Sequence, residues 1–195
     1  ERKQIIDFTE PLYLSHQVLV QRKPRSWRKM KLHNIHDALI KNPVELIGDT
    51  ISVKRNSSYA QRIKNISAEV GGAIHIDTIP GDMTTDEIFR QVANGKIKYS
   101  IVDQNVANIY SSDYPILDIS TKMSFSQRIA WGVRKESNKL RDTLNDWITK
   151  AKKTVDYHVI YNKYFKNKRS FRKRVKSKFY SLNDNQISPY DDLIK

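Results

Sequence analysis

Between Thr50 and Ser112 the chain alternates three times between a short apolar, β-branched run and a stretch of helical periodicity. "TISVKR" leads into "NSSYAQRIKNISAEVGG", "AIHIDTIP" into "TTDEIFRQVANG", and "GKIKYSIVD" into "QNVANIYSS". Strands separated by single helices must lie side by side with the helices crossing over between them, which predicts an α/β fold with a parallel-type sheet and crossover connections. The middle helix is the best marked. Thr84 and Glu87 stand at capping-box spacing, Ile88, Phe89 and Val92 form an apolar face, and Gly95 suits the C-terminal cap. Gly71 and Gly72 close the helix before it.

The flanks read differently. "IIDFTEPLYLSHQVLVQRK" is rich in β-branched and aromatic residues, with a strand expected from Gln17 to Arg22 and Pro11 and Pro24 as punctuation. Residues 25–47 are polar and contain one helix, "NIHDALIKN", stopped before Pro43. Beyond Pro115, "ILDISTKM" and "RIAWGVRK" read as extended segments. Ser137 is then expected to cap a helix that aligns Leu140, Leu144, Trp147, Ile148 and Ala151 on one face, and "VDYHVIYNKYF" is a second helix. Residues 166–195 turn basic and then polar, as a linker does.

A chain of 195 residues with 38% hydrophobic content can bury a core. Having no cysteine, it can form neither a disulfide nor a thiolate metal site. No apolar run approaches the roughly 20 residues that span a bilayer, and "ERKQIIDF" has no signal-peptide core. The formal charge of +14 invites a nucleic-acid partner. Much of that charge is confined to "KYFKNKRSFRKRVKSK" (163–178) and "RKPRSWRKMK" (22–31), which suits a solvated linker or helix face, so no nucleic acid is expected. The alternative is a basic docking module that binds anionic cell-wall polymer or nucleic acid without a small ligand. His33 and His36 lie near Asp37 but lack a further convergent ligand, so no metal is expected. With no phosphate-cradling loop and no nucleophile elbow, neither a cofactor nor catalysis by this chain alone is expected.

Open α/β sheets bind ligands at the carboxyl ends of their strands. Asp103 ends one strand, and Ser57 and Ser58 follow another and open a helix whose free N–H groups attract an anion. One acid beside one anion seat is what a zwitterion requires: an ammonium and a carboxylate a few ångströms apart. Taken singly, Ser57 and Asp103 also suit plain helix caps.

These segments resemble the family-3 bacterial solute-binding proteins, which have the type II periplasmic binding fold of two lobes. "ERKQIIDFTEPLY" is similar to the family's "ER…dFs.PY" segment in lobe 1, while "IGDTISVKRNSSY" and "GKIKYSIVDQNVA" are similar to its "lkGk.v.v..Gt" and "G..Da...D...a" segments in lobe 2. "IAWGVRKESNKLRDTLNDWI" resembles the return to lobe 1. The resemblance implies residues 1–24 and 119–165 as a partial lobe 1 whose first strand, helix and strand would precede Glu1. It implies 25–118 as lobe 2 and 166–195 as a basic linker. It also implies that Arg2 holds a ligand carboxylate bidentately, helped by Ser57 and Ser58, that Asp103 accepts the α-ammonium, and that Tyr13 supplies an apolar wall. The family's glycine before the hydroxyl pair is replaced by Asn56, a residue that tolerates positive φ.

The basic stretch and "NQISPYDDLIK" resemble a narrower group, the membrane-bound lytic murein transglycosylase F type, where such a domain precedes a lysozyme-like catalytic domain. This implies a periplasmic domain, attached to the outer membrane through a further part of the protein. Its ligand would be an amino acid, peptide or muropeptide, and it would meet peptidoglycan through the catalytic domain. Glu136-Ser137 matches the catalytic "ES" dipeptide of those enzymes but lies in the return segment, where Ser137 has a capping role. An open sheet edge on lobe 1 would be a liability, met either by a second copy of the chain, as a homodimer, or by local disorder of that lobe.

Overall fold

The computed structural model describes residues 5–166. In chain order it contains β1 (Ile6–Phe8), β2 (Tyr13–Ser15), β3 (Gln17–Arg22), α1 (Leu32–Asp37), β4 (Thr50–Lys54), α2 (Ser58–Val70), β5 (His75–Ile79), α3 (Thr85–Asn94), β6 (Tyr99–Asp103) and α4 (Gln104–Tyr110). After these come β7 (Leu117–Asp118), β8 (Gln127–Ile129), β9 (Gly132–Arg134), α5 (Asn138–Ala151) and α6 (Val155–Tyr161). The expected linker, 166–195, lies outside the described residues except for Lys166, which ends a wide helical turn (Asn162–Lys166) after α6.

Five strands form one sheet in the order β5-β4-β6-β3-β7. β4 runs parallel to β5 and β6, as the alternation predicts, but β3 runs antiparallel to both β6 and β7. The sheet is therefore mixed rather than parallel throughout. No helix crossover delivers β3 into the sheet, so the rule that makes the other connections parallel does not act on it. Its residues make β3 a full member of this sheet. Val18 and Val20 pack on one face of the five-stranded sheet and Leu19 on the other, all fully buried.

Each face has its own core. On one side Val18, Val20, Val102 and Ile79 meet Ile88, Phe89 and Val92 of α3 and Ala107 of α4. On the other, Leu19, Ile51, Val53 and Ile101 meet Ile63 and Ile66 of α2. Strands covered on both faces need apolar side chains at successive positions, which explains the unbroken runs in β3 and β6. The caps form as read: Thr84 accepts from the Glu87 N–H while Glu87 accepts from the Thr84 N–H, and Gly71 and Gly95 take left-handed φ of 69° and 77°. α1 stops earlier than the periodicity suggests. The Gln21 amide takes both main-chain groups of Ile40, at 2.9 Å each, and so ends the helical ladder before Pro43.

The remaining strands pair outside this sheet, β1 with β9 and β2 with β8, both antiparallel. α5 is tied to them through Arg141, 3.0 Å from Asp7, and through Asn145, which accepts from the Glu10 N–H. α5 starts where expected, after Ser137, but with an unbonded cap. Ser137 sits at the N-cap with ψ of 50°, and its side chain bonds no helix N–H, because that backbone angle departs from the extended geometry a capping hydroxyl needs. On the apolar face Ile148 is buried, while Leu140 and Trp147 are 53% and 56% exposed.

Candidate functional site

β4 ends in a tight turn whose geometry depends on one residue. Asn56 has φ of 59°, the left-handed region, and takes the place of the glycine that the resemblance calls for. The turn lets both the N–H and the hydroxyl of Ser57 donate to the Lys54 carbonyl. Ser57 is at the N-cap of α2 with φ −89° and ψ 156°, but its Oγ accepts from no helix N–H, so it does not act as the side-chain cap the sequence allows. The first-turn amides, starting at Ser58, keep their donors for another acceptor.

Asp103 closes β6 two strand positions from the buried Ile101 and stands at the N-cap of α4. Its carboxylate does not cap that helix either. The hydroxyl of Tyr59 lies within reach of this carboxylate and favours its charged form, as a neighbouring donor does. Burial raises the Asp103 carboxyl above its ordinary value, and the Tyr59 hydroxyl pulls it part of the way back. Among the described residues no cation adds to that correction. Burial, with the neighbouring carboxylate, pushes the Tyr59 hydroxyl up to about 12, so it remains a donor at any physiological pH.

Tyr59 was not among the residues singled out in the sequence. Its signal was its position: an aromatic next to Ser58 in the first turn of a helix that packs on the sheet.

Gln17 lies directly across the β3–β6 ladder from Asp103. Its N–H donates to the Ser124 hydroxyl at 2.8 Å and its carbonyl accepts from Met123 N–H at 2.7 Å, both away from β6. Gln17 and Asp103 therefore form a non-hydrogen-bonded pair, the type in which facing side chains approach most closely. Arg62, one turn beyond Tyr59 on α2, donates to the Met123 carbonyl at 2.9 Å, so the same helix also grips the return crossing of the chain.

The structure brings Tyr59 and Asp103 into contact and sets Ser57 and Ser58 at the start of Tyr59's helix. Arg2 lies outside the described residues. The Tyr13 ring packs on Tyr161 at 6.0 Å and Phe165 at 5.3 Å, in an apolar groove of about 520 Å³ shared with Trp147 and Tyr157. Among the described residues no group of three or more histidine or acidic side chains could hold a metal. None of the described helices is long and apolar enough to cross a membrane.

Residues 1–167 match the bacterial extracellular solute-binding proteins, family 3. Among curated proteins, the membrane-bound lytic murein transglycosylase F of Desulfosudis oleivorans is 28% identical over 166 residues, which is 85% of this chain and 33% of that protein. The protein of the same name from Saccharophagus degradans is 30% identical over 131 residues, 67% of this chain and 23% of the relative. The chain thus spans a third or less of the length of these relatives. Among solved structures, a mutant of ArgBP from T. maritima aligns with TM-score 0.62 and 25% identity, covering 85% of this chain and 64% of the other. An ancestral arginine-binding protein bound to arginine aligns with TM-score 0.61 and 24% identity, covering 84% and 66%, and this likeness speaks to the fold.

Proposed function

The chain belongs to the bacterial extracellular solute-binding proteins of family 3, and from that premise we propose that it senses a free amino acid or short cell-wall peptide for a larger peptidoglycan-cleaving protein. The observation that carries this reading is the carboxylate of Asp103, at the end of β6 beside Tyr59, partly buried and raised by that burial. Placing a carboxylate where water cannot fully solvate it costs free energy that a bound cation returns. An α-ammonium supplies that cation. The open first turn of α2, with Ser57 and Ser58, receives the α-carboxylate, and Arg2 joins it by family register.

The lobe boundaries follow the sheet. β3 and Met123 belong to the five-stranded unit, so we set the crossings at His16 and Ser124 rather than at 24 and 119. A ligand held at the top of α2 and β6 lies close to both crossings, since α2 reaches Met123 through Arg62 and Gln17 faces Asp103. Closure of the lobes on the ligand would then be felt by whatever follows residue 166. The relatives' name supports a membrane-attached, cell-wall-cleaving parent, which we place in the periplasm on the outer membrane.

The test is titration calorimetry of the chain against amino acids, short peptides and muropeptides, with Asp103→Asn alongside. Saturable binding by the wild type that the variant loses supports the reading. Binding that survives the substitution, or retention only on anionic polymer at low salt, overturns it.

A further inference from the structure

The first basic stretch of the chain is neither a linker nor one face of a helix. It leaves β3 at Arg22, makes a single 3₁₀ turn at Trp27–Lys29 and enters α1 at Leu32. Six of the ten residues from Arg22 to Lys31 are lysine or arginine, and no acidic residue occurs before Asp37. Arg25, Arg28, Lys29 and Lys31 are exposed and make no ion pair among the described residues. Asp37 is paired with Lys41, and Asp49, at the same end of the sheet, with Lys98. The ladder places this stretch. Gln17 pairs with Asp103 and Gln21 with Tyr99, so β3 carries the chain from the Asp103 end of the sheet to the opposite end, about 17 Å away at the usual rise of a strand. Asp103 lies at one pole of this lobe and the cations at the other.

We propose that this pole is a docking surface for an anionic phospholipid bilayer, on which the lobe rests with its Asp103 end turned away. Unpaired cations gathered at one pole are drawn to a negatively charged leaflet, each lysine or arginine close to it adding roughly fivefold to the partition. Charge alone would equally suit a nucleic acid or an acidic polymer, so the apolar side chains among the cations decide. Leu32, directly after Lys31, is 76% exposed. A polyanion offers that side chain nothing to bury in, whereas the acyl boundary beneath a headgroup layer does. Trp27 points the same way. A single-stranded nucleic acid uses an aromatic ring as a platform for its bases, but the Trp27 ring already carries the Lys23 ammonium at 4.8 Å and the Arg28 guanidinium at 5.1 Å. An indole beside two cations suits the headgroup layer, where the ring bridges water and acyl chain while the cations meet phosphates. Attachment of this size is reversible: it orients a domain and does not hold it by itself.

The experiment is co-sedimentation of the whole chain with vesicles of phosphatidylcholine alone and of phosphatidylcholine mixed with phosphatidylglycerol, with thermal unfolding to establish that each variant folds. The pole variant combines Arg25→Gln, Arg28→Gln, Lys29→Gln and Lys31→Gln. Its control combines Lys64→Gln, Lys135→Gln, Lys139→Gln and Lys153→Gln, which removes the same charge from exposed sites elsewhere. Wild type is expected to sediment with the mixed vesicles alone, the pole variant to lose at least roughly 100-fold in partition and the control less than roughly fivefold. Leu32→Ser should lose roughly fivefold through its apolar contact. Failure of wild type to sediment overturns the proposal, and so does a pole variant that binds like wild type or a control that loses as much. If a single-stranded oligonucleotide binds wild type as tightly as the mixed vesicles do, and Leu32→Ser weakens neither, the surface takes a polyanion and the lipid assignment falls. Should the pole variant fail to fold, Leu32→Ser decides: unchanged partition into mixed vesicles overturns the proposal.

Discussion

The hydroxyl of Tyr59, in the first turn of α2, lies within reach of the carboxylate of Asp103 at the end of β6 and favours its charged form. Tyr59 is carried by a helix whose Ile63 and Ile66 are buried in the core, Asp103 by a strand whose Ile101 belongs to the same cluster. Both residues are therefore carried by elements anchored in the core, and placing an acceptor on such elements reduces the ordering cost of binding.

Asp103→Asn keeps an acceptor for Tyr59 but removes the charge. Amine ligands should lose at least roughly 30-fold in affinity, the scale on which one partner of a desolvated charge pair is missed. The unliganded variant should at the same time be more stable than wild type at neutral pH, because the native state no longer holds a carboxylate raised by burial. Thermal unfolding without ligand and calorimetry with it measure the two effects, which must move in opposite directions.

The pH dependence has a definite sign. The folded Asp103 carboxyl lies above its unfolded value, so the native state keeps the proton longer. This group's stabilising contribution is full below the unfolded pKa and declines as pH rises through the folded one. Amine affinity runs the other way, falling as pH drops below the folded value, and binding near that pH releases a proton. Calorimetry in buffers of different ionisation enthalpy detects that proton. Tyr59→Phe removes the hydroxyl that lowers the carboxyl and should shift the midpoint upward, with affinity down about 10-fold from loss of a charge-assisted donor.

The lobe built on crossovers was legible because its signals are local: capped helices, β-branched runs and glycines at left-handed ends. The direction of β3 was not, since antiparallel insertion beside β6 depends on contacts some 80 residues away that no local period records. The boundary of α1 was hidden for the same reason, as Gln21 reaches across 19 residues to Ile40. At the site, Asp103 and the serine pair could be found from their place at strand ends. Tyr59 could not, because its side chain crosses between elements, and neither could the pairing of Gln17 with Asp103, which is a matter of ladder register.

Two serine/threonine positions that look alike in the sequence should behave differently. Thr84 makes a reciprocal cap with Glu87, whose carboxyl is held below the ordinary range by those bonds. Thr84→Ala should cost about 1 kcal/mol in urea unfolding. Glu87's own contribution is present above its unfolded pKa and is lost as pH falls through the folded one. Ser137→Ala should leave stability within about 0.5 kcal/mol of wild type, since no bond from that hydroxyl to α5 exists to be lost.

Asn56 links backbone strain to binding. At φ of 59° a residue with an ordinary side chain pays about 1–2 kcal/mol, a glycine nothing, and asparagine an intermediate amount. Asn56→Gly should therefore unfold at the wild-type temperature or slightly above, and Asn56→Ala below it. The turn also lets Ser57 donate twice to Lys54 and so determines where the first amides of α2 point. If those amides receive the ligand carboxylate, Asn56→Gly keeps its affinity, whereas Asn56→Ala loses several-fold even where it is fully folded. Paired unfolding and calorimetry separate the two effects: a folded Asn56→Ala with unchanged affinity would mean that the carboxylate is held by side chains rather than by this helix end.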